Sequence, residues 1–558
     1  PIPFPGRGDM SGILLVHPDD DMVVGLTNLE AGETVSVADE SIQLRGFVEA
    51  KHKFARRSVK RGERLKMYGI VVAEAMRDIE VGDPLTTANV KHATTEVTSI
   101  ERTSTWQAPD VSAWQEKSFL GYHRPDGRVG TRNHWIVVPL VFCQNRNVEV
   151  LKESLHEALE YARPHRFRAR TQQLIAAYRS GDSAATLRET TFESTDTTVP
   201  PARLFPQVDG IKFLTHDGGC GGLYQDAQAL CGLIAGYINN PNVAGATVLS
   251  LGCQKSQIAT LEEELQRRNP QFSKPLYILE QQQEGTEDAL LDKALRYTFA
   301  GIAEAGKLER EPAELRHLSL GVECGGSDGF SGISANPAIG HCSDLLVALG
   351  GTVILSEFPE LAGCEADLSS RCATPELGER FLKIMREYEA RAVRDGGGFD
   401  QNPSPGNVRD GLITDAIKSA GAAKKGGTSP VMDVLDYPEP ATRPGLALLC
   451  TPGGDVESTT AKAGAGANVQ VFSTGLGTPT GNAISPVLKT STNSQLAEKM
   501  PDIIDIDSGK IVVGEDTIQS VGARMLDLII DTASGEYQTK AERLGQDDFI
   551  PWKRGITF

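Results

Sequence analysis

A glycine-rich run, GVECGGSDGFSG, begins at Gly321 and carries four side chains that could do chemistry: Glu323, Cys324, Ser327 and Asp328. The apolar stretch LRHLSLGV leads into it, so the run is predicted to follow a buried strand. Its glycines would let a ligand or another backbone approach closely. A carboxylate, a thiol and hydroxyls at a strand end favour a chemical surface over the alternative, a flexible surface turn.

Four other strand-like runs end in comparable clusters. The runs FLTHDGGCGG, LSLGCQKSQ, LSEFPE and VFSTGLGTPTGN supply, in that order, His216 and Cys220, Cys253 and Lys255, Glu357 and Glu360, and Thr474. In open parallel sheets, ligands bind beyond the carboxyl ends of the strands. The five clusters are therefore predicted to contribute to one site.

Basic and histidine-bearing segments could complete such a site. HPDDD contains His17, EAKHKFA contains His52 and Lys53, and SPVLKTSTN contains Lys489. For the histidines, a satisfied structural role is the alternative to a ligand role. The segment GYHRPDGRVGTRN offers Arg124, Arg128, Arg132 and Asn133 as a basic loop for a carboxylate, or else as a surface ion-pair loop. NPSPGN and KSAGAAKKGG are interpreted as donor-rich loops.

Composition limits the class of protein. The formal net charge of −18 over 558 residues argues against a nucleic-acid partner and requires a locally basic site for any anionic substrate. No apolar run reaches the ~20 residues that cross a membrane. Nine cysteines without paired spacing indicate a reducing compartment, so a cytoplasmic protein is expected.

The chain divides into segments by pattern. Short apolar runs over residues 10–97 predict a small β-rich domain, and residues 98–116 a polar linker. Strand-like runs alternating with helical periodicity predict an α/β domain over 117–312, with a helical arm at 161–206, and a second α/β domain over 313–558. Both are expected to be Rossmann-like with mainly parallel sheets. Residues 1–9, which precede Met10, are left out of this prediction.

The ordered motifs resemble the altronate dehydratase and galactarate dehydratase family. The most specific are GYHRPDGRVGTRN, THDGGCGG, LGCQK, ECGGSDGFSGISANPAIG, LSEFPE, NPSPGN, KSAGAAKKGGTSP and FSTGLGTPTGN. The N-terminal region resembles the SAF domain, a β-clip fold. Two features depart from the pattern expected for the family: FCQNRN follows the IVV strand, and the arm is longer. Both are closer to the altronate subgroup.

The resemblance implies loss of water from a six-carbon sugar acid, giving a 2-keto-3-deoxy product: D-altronate would give 2-keto-3-deoxy-D-gluconate. Galactarate or another aldarate is the alternative substrate, and a non-catalytic sugar-acid binding protein is the alternative class. The implied cofactor is a divalent metal, iron(II) or else manganese(II). A [4Fe–4S] cluster on Cys220, Cys253 and Cys324 is the runner-up. A small-molecule substrate and a homodimer or higher homo-oligomer are expected.

Roles within the site are hypotheses at this point. Metal ligands are sought among His17, His52, His216, Cys220, Cys253 and Cys324. Catalytic groups are sought among His52, Lys53, Lys255, Glu323, Ser327 and Asp328. Substrate would be bound by residues among Arg124, Arg128, Arg132, Asn133, Lys489 and Thr474.

Overall fold

The computed structural model describes residues 12–38, 40–97, 106–161, 166–192 and 202–557. The predicted segments are therefore seen in part: residues 1–11, the first part of the linker and two stretches of the arm lie outside the described residues. Among the described residues, no helix combines the length and the apolar character needed to cross a bilayer.

The N-terminal domain is built from short antiparallel strands. They are β1 Ile13–Leu14, β2 Met22–Gly25, β3 Thr34–Val37, β4 Glu40–Gln43, β5 Lys53–Ala55, β6 Arg64–Met67, β7 Ile70–Ala75, β8 Pro84–Leu85 and β9 Val90–His92. They form sheets ordered β1-β2-β5-β8, β6-β7-β9 and β3-β4. β3 and β6 alternate exposed and buried residues, because one face of each strand packs on the core.

The middle of the chain forms a parallel four-stranded sheet with helices around it. Its elements are β10 Ser118–His123, β11 Val129–Gly130, β12 His134–Pro139, α1 Asn145–Ala158, α2 Arg166–Arg179, α3 Ala184–Arg188, β13 Gly210–Phe213, α4 Tyr224–Asn239, β14 Val243–Ser250, α5 Ile258–Arg268, β15 Leu276–Glu280, α6 Gln281–Glu284, α7 Glu287–Ala305 and β16 Glu311–Glu314. The order is β13-β12-β14-β15. β12 and β14 are buried along their whole length, as parallel strands covered on both faces require.

The remainder forms a seven-stranded parallel sheet ordered β19-β20-β18-β17-β21-β22-β23. Its elements are β17 Ser319–Cys324, α8 Ala335–Ala348, β18 Thr352–Leu355, α9 Glu365–Ser370, α10 Pro375–Arg394, α11 Pro405–Arg409, α12 Asp415–Ala422, β19 Val431–Leu435, β20 Gly445–Leu449, α13 Asp455–Ala465, β21 Val469–Thr474, β22 Val487–Ser491, α14 Ser494–Lys499, β23 Ile506–Asp507, α15 Ile518–Ser534 and α16 Lys540–Leu544.

The structure corrects two local predictions. NPSPGN, interpreted as a loop, ends in the first residues of α11, Pro405–Arg409. The segment KSAGAAKKGG, interpreted as a loop, forms most of α12 and a 3₁₀ turn over Ala423–Gly426. Small residues let α12 pack closely against the 3₁₀ turn Phe358–Leu361 that follows β18. Two lysines of this segment, Lys418 and Lys425, are thereby carried into the protein interior.

The N-terminal domain lies against the seven-stranded domain of the same chain, and their apolar residues form one continuous core. Thr414 Oγ1, at the N-cap of α12, donates to the Val72 carbonyl at 2.9 Å. His92 Nδ1 accepts the Ala416 N–H at 3.2 Å. These contacts hold the small domain over the carboxyl side of β17 and β18.

Candidate active site

Three neighbouring strands of the seven-stranded sheet deliver polar side chains to one point. Glu323 and Cys324 are the last residues of β17, Glu357 and Glu360 follow β18, and Ser458 lies in α13, which follows β20. The strands are parallel, so their carboxyl ends meet at one edge of the sheet. All five side chains are buried. Sequence and structure agree that the ends of β17 and β18 converge, whereas no cluster was predicted after β20.

Glu357 turns the chain at the end of β18. Its φ is 65° and its ψ 57°, the left-handed region that a non-glycine residue rarely adopts. The Glu357 N–H donates to Thr451 Oγ1 at 2.9 Å, which fixes this geometry. The strained turn directs the carboxylate into the interior rather than along the sheet.

Each of three buried carboxylates is paired with its own lysine: Glu323 with Lys462, Glu357 with Lys425, and Glu360 with Lys418. The last two pairs are separated by 2.7 Å each. Ser458 Oγ also donates to Glu323 Oε2 at 2.7 Å. Such pairing is the condition under which six charged groups can remain ionised away from water. We call these six residues, with Cys324, the strand-end cluster.

Cys324 lies at the centre of the cluster. Lys425 Nζ donates to its Sγ at 2.6 Å, and the thiol lies 3.3 Å from Glu360 Oε2. Burial and the nearby Glu357 carboxylate raise the pKa of Cys324 well above its usual value, although Lys425 opposes the shift. Within the part of the chain that the structure describes, Cys324, Glu357 and Glu360 form the one group of three side chains close enough to hold a metal ion, with ligand atoms within 4.8 Å of one another.

Glu357 and Asp455 each have a pKa raised to about 7. Burial and the adjacent Glu323 raise the pKa of Glu357 to about 7. Burial, with Glu357 and Glu360 nearby, raises the pKa of Asp455, the first residue of α13, to about 7. Asp455 is only partly buried, unlike Glu357, so it lies on the accessible side of the strand-end cluster.

Residues of the N-terminal domain reach the loop after β17. Lys51 Nζ lies 3.1 Å from Asp328 and 2.8 Å from Asp410. Lys53 Nζ donates to the carbonyls of Lys51 and Gly411, at 3.0 and 2.6 Å. Burial lowers the pKa of Lys53 to about 7, against the pull of Asp328. The structure thus brings the predicted Lys53 and Asp328 together, with Lys51 between them.

The other predicted ligands take different positions. His52 Nε2 lies 2.9 Å from the Arg409 carbonyl, and His17 lies half-exposed beside Gly69. His216 Nε2 lies 2.7 Å from the Pro139 carbonyl, at the carboxyl ends of β12 and β13. Cys220 and Cys253 are exposed in loops of the four-stranded domain. None of these five belongs to the group of three close ligands found among the described residues.

Lys255 likewise follows a strand of the four-stranded sheet, where its Nζ donates to the Gly222 carbonyl at 2.6 Å. Three of the five predicted clusters, those after β17, β18 and β21, share one sheet, whereas the other two follow β13 and β14 of the second sheet. The prediction of one site therefore gains support for three clusters and none for the remaining two.

The predicted substrate-binding arginines are engaged in structural contacts. Arg124 donates to the carbonyls of Pro241 and Arg132 and to Asn133 Oδ1. Arg132 forms a two-point ion pair with Glu542 at 2.8 and 3.0 Å. Arg128 pairs with Asp126 and Asn239, and Asn133 donates to the carbonyls of Gln207 and Ala305.

This network lies at the wrong end of the sheet for the predicted role. Thr131 Oγ1 donates to the carbonyl of Asn468, the residue that precedes β21. The arginines therefore surround the amino ends of the strands, opposite the carboxyl ends that carry the strand-end cluster. Arg124 and Arg128 are bound within the four-stranded domain, Arg132 joins that domain to α15 and α16, and the structure gives substrate binding by these residues no support.

Of three further predicted residues, Thr474 and Lys489 have side-chain partners and Ser327 does not. Thr474, the last residue of β21, accepts the Gly477 and Thr478 N–H groups at 2.9 and 3.2 Å. Lys489 Nζ donates to Gln546 Oε1, and burial lowers the pKa of Lys489 to about 8. Ser327 is buried and its Oγ has no hydrogen-bond partner, while Asn407 donates to its carbonyl at 2.8 Å. Ser327 alone of these retains an uncommitted polar atom beside the cluster.

Sequence analysis assigned no role in the site to Lys418, Lys425, Lys462 or Asp455, although Lys418 and Lys425 lie in KSAGAAKKGG, which it interpreted as a donor-rich loop. A signal existed for the lysines. Lys462 is the only charged residue in TTAKAGAGAN, and Lys425 lies between alanines and paired glycines. A lysine in a helix of otherwise small residues has no polar face to occupy, so burial with a partner carboxylate is the natural outcome.

Comparisons with known proteins agree with this organisation. Family models described as the altronate/galactarate dehydratase SAF domain, the D-galactarate dehydratase/altronate hydrolase second domain and the D-galactarate/altronate dehydratase C-terminal domain match residues 11–93, 121–306 and 315–557. The strand-end cluster lies wholly in the third match, and Lys51 and Lys53 lie in the first.

Two relatives are similar over nearly the whole chain, and a third over about half of it. The altronate dehydratase of Bacillus subtilis (strain 168) is 30% identical over 98% of this chain and 100% of its own. The altronate dehydratase of Escherichia coli (strain K12) is 31% identical over 97% and 99%. The galactarate dehydratase (L-threo-forming) of Escherichia coli (strain K12) is 35% identical over 55% and 59%. With its three domain matches and two relatives at least 30% identical over at least 97% of its length, the chain belongs to the altronate/galactarate dehydratase family.

Proposed function

We propose that this protein dehydrates D-altronate to 2-keto-3-deoxy-D-gluconate. As a member of a dehydratase family, the protein is a hydro-lyase. The observation that carries the choice of substrate is coverage: two relatives named altronate dehydratase match at least 97% of this chain, whereas the galactarate dehydratase matches 55%. Galactarate is the second candidate because its enzyme is more similar, at 35%, over the part that matches.

The reaction sets two chemical demands. The proton at C2, next to a carboxylate, is weakly acidic, so its removal requires a base and stabilisation of the resulting anion. The C3 hydroxyl is a poor leaving group and must be protonated or polarised as it departs. In water both demands are costly, whereas a dry site with fixed charges meets them without reorganisation.

In this proposal the substrate approaches the strand-end cluster from the side of Asp455 and Lys418. Asp455 is partly accessible, and the Lys418 side chain retains 9% of its exposure. Lys418 would attract the substrate carboxylate and stabilise the charge that develops on it. Asp455, whose pKa is raised to about 7 by burial and two neighbouring carboxylates, would give its proton to the departing hydroxyl.

The residues present fit the divalent metal that the family resemblance implies. A thiol and two carboxylates are a donor set suited to iron(II), and Glu357 Oε1 is buried without a hydrogen-bond donor. Cys324, Glu357 and Glu360 would hold the ion. When bound, such an ion supplies Lewis-acid stabilisation of an oxyanion, worth several kcal/mol.

A [4Fe–4S] cluster remains the alternative cofactor. It would require Cys220 and Cys253, on exposed loops of the other sheet, to join the buried Cys324. Purified protein with a visible iron–sulfur absorbance and several irons per chain would favour the cluster. Colourless protein with one iron per chain would favour the mononuclear ion.

A substrate panel tests the proposed function. The protein, reduced and loaded anaerobically with iron(II), is incubated with D-altronate, galactarate and other hexonates, and 2-keto-acid formation is measured. We expect kcat/KM for D-altronate to exceed that for galactarate by at least about tenfold. A preference for galactarate would make galactarate the substrate. If no sugar acid gave a 2-keto acid, the proposal would be rejected.

A further inference from the structure

The Lys425 ammonium occupies the position that a metal ion would take. It lies 2.6 Å from Cys324 Sγ and 2.7 Å from Glu357 Oε2, and both of these atoms belong to the group of three close ligands. The Lys425 side chain is 1% exposed, so no water-filled space separates it from these partners. In this conformation the Lys425 ammonium is therefore the cation beside Cys324 and Glu357, and Lys418 is the cation beside Glu360.

Contacts that do not involve Lys425 fix the Glu360 carboxylate and the backbone of the other two ligands. Glu360 Oε1 is fixed by Lys418 at 2.7 Å, which leaves Oε2 directed to Cys324. The Glu357 backbone is fixed by Thr451, and its Oε1 is a buried oxygen that no described donor satisfies. Cys324 is fixed by its place at the end of β17. A site whose ligands are positioned by their neighbours binds an ion without having to be built by it.

Lys425, in contrast, is carried on a short 3₁₀ turn, Ala423–Gly426, followed by Gly427 with a φ of 61°. A lysine side chain has four rotatable bonds and can withdraw its ammonium by rotation. Two cations cannot share a space with contacts of 2.6 and 2.7 Å to the same two atoms. Lysine and metal must therefore exclude each other.

We propose that a divalent transition-metal ion binds Glu357, Glu360 and the thiolate of Cys324 by displacing the Lys425 ammonium, so that metal loading, release of the thiol proton to solvent and release of Lys425 are one event. The displaced Lys425 ammonium then faces any molecule that binds next to the ion. The inference deepens the proposed function by assigning its cofactor site, but binding of the ion does not depend on which sugar acid is the substrate.

Cobalt(II) tests this exchange because thiolate coordination gives it a near-ultraviolet absorption band. Metal-free wild type, Lys425→Met, Cys324→Ala and Lys424→Met are titrated with cobalt(II) anaerobically. Lys424 is the matched control, since it is the adjacent lysine and its side chain is exposed. We expect Lys425→Met to bind cobalt(II) at least about tenfold more tightly than wild type, since no cation competes. Lys424→Met should match wild type, and Cys324→Ala should lose the band.

Unchanged or weaker cobalt(II) affinity in Lys425→Met would overturn the displacement, and a wild-type complex without the thiolate band would overturn the site. If Lys425→Met does not fold without metal, Lys425→Gln, which keeps a hydrogen-bond donor, is measured in its place with the same expectation. These readouts are independent of turnover. Metal binding without any 2-keto-acid product would contradict the proposed function alone, and turnover without this metal site would contradict the inference alone.

Discussion

Lys51 Nζ lies 3.1 Å from the carboxylate of Asp328, and this ion pair joins the N-terminal domain to the loop that follows β17 in the same chain. Asp328 is fully buried, and it also accepts from Asn493, in the loop after β22, at 3.2 Å. The loop that begins with Glu323 and Cys324 is therefore positioned partly by another domain. Among the described residues, the small domain contacts the loop after β17 through Asp328, and none of its residues belongs to the group of three close ligands.

Removing this ion pair should loosen the site. We expect Lys51→Met to lower the free energy of unfolding by about 2–4 kcal/mol, because Asp328 would remain buried without its cation. Turnover should fall further than the loss of folded protein explains, since the loop after β17 loses its anchor. Urea unfolding and kcat on the folded fraction measure the two effects. Lys91→Met, which removes an exposed pair with Glu74, is the control and should cost less than about 1 kcal/mol.

Gly411, which contacts Lys51, gives an independent test of the same contact between domains. Gly411 has a φ of +93°, and a Cβ there would overlap the Lys51 carbonyl oxygen. We expect Gly411→Ala to cost about 3 kcal/mol, from left-handed strain and overpacking together, and to shift the domain contact. Gly396→Ala has the same kind of φ, +85°, but nothing within 4 Å, so it should show the strain alone, about 1 kcal/mol. Equal effects on melting temperature would mean that the contact at Gly411 is not tight.

The sequence was sufficient to predict the edge of the sheet where the site lies. Glu323, Cys324, Glu357 and Glu360 each follow an apolar run, and parallel strands bring such residues together whatever the details of packing. The sequence was insufficient to predict which lysine pairs with which carboxylate. Lys418, Lys425 and Lys462 come from segments up to about 140 residues away from their carboxylates, and only the tertiary fold decides which meet.

For the basic loop, the sequence predicted a binding role that the structure does not support. Arg124, Arg128 and Arg132 suggested an anion site because the protein is acidic overall. The spacing of arginines cannot show that a guanidinium will donate its hydrogen bonds to backbone carbonyls, as Arg124 does to those of Pro241 and Arg132. Every residue has a backbone carbonyl, so residue types do not reveal which carbonyls will accept these hydrogen bonds.

Arg132 should therefore matter for stability rather than for substrate affinity. Arg132→Ala leaves the Glu542 carboxylate without its two-point partner and opens two carbonyl contacts. We expect the free energy of unfolding to fall by about 3 kcal/mol, with KM for the sugar acid unchanged within about twofold. Arg524→Ala, an exposed arginine paired with Asp516, should change neither quantity appreciably. A large rise in KM without loss of stability would restore the substrate-binding role.

The innermost ion pair, Glu323 with Lys462, should behave as a unit. Both side chains are 0% exposed. We expect Lys462→Met alone to cost about 3–5 kcal/mol, because Glu323 stays buried and charged, and Glu323→Gln with Lys462→Met to cost less than Lys462→Met alone. A double-mutant cycle in urea measures the coupling. Additive costs would show that the two charges do not depend on each other.

Stability should rise with pH through the titration of Lys489. Burial lowers its pKa from 10.5 to about 8 in the folded protein. Between these values the unfolded chain holds the proton more often than the folded one, so raising the pH favours the folded state. Each pH unit within this window is worth up to about 1.4 kcal/mol. Other groups titrate as well, and a variant that removes only this lysine isolates its share. We expect wild type to gain about 2 kcal/mol relative to Lys489→Met between about pH 7.5 and about pH 9.5, measured by urea unfolding. Parallel pH profiles for the two proteins would show that Lys489 keeps its ordinary pKa, and that its contact with Gln546 is reached by water.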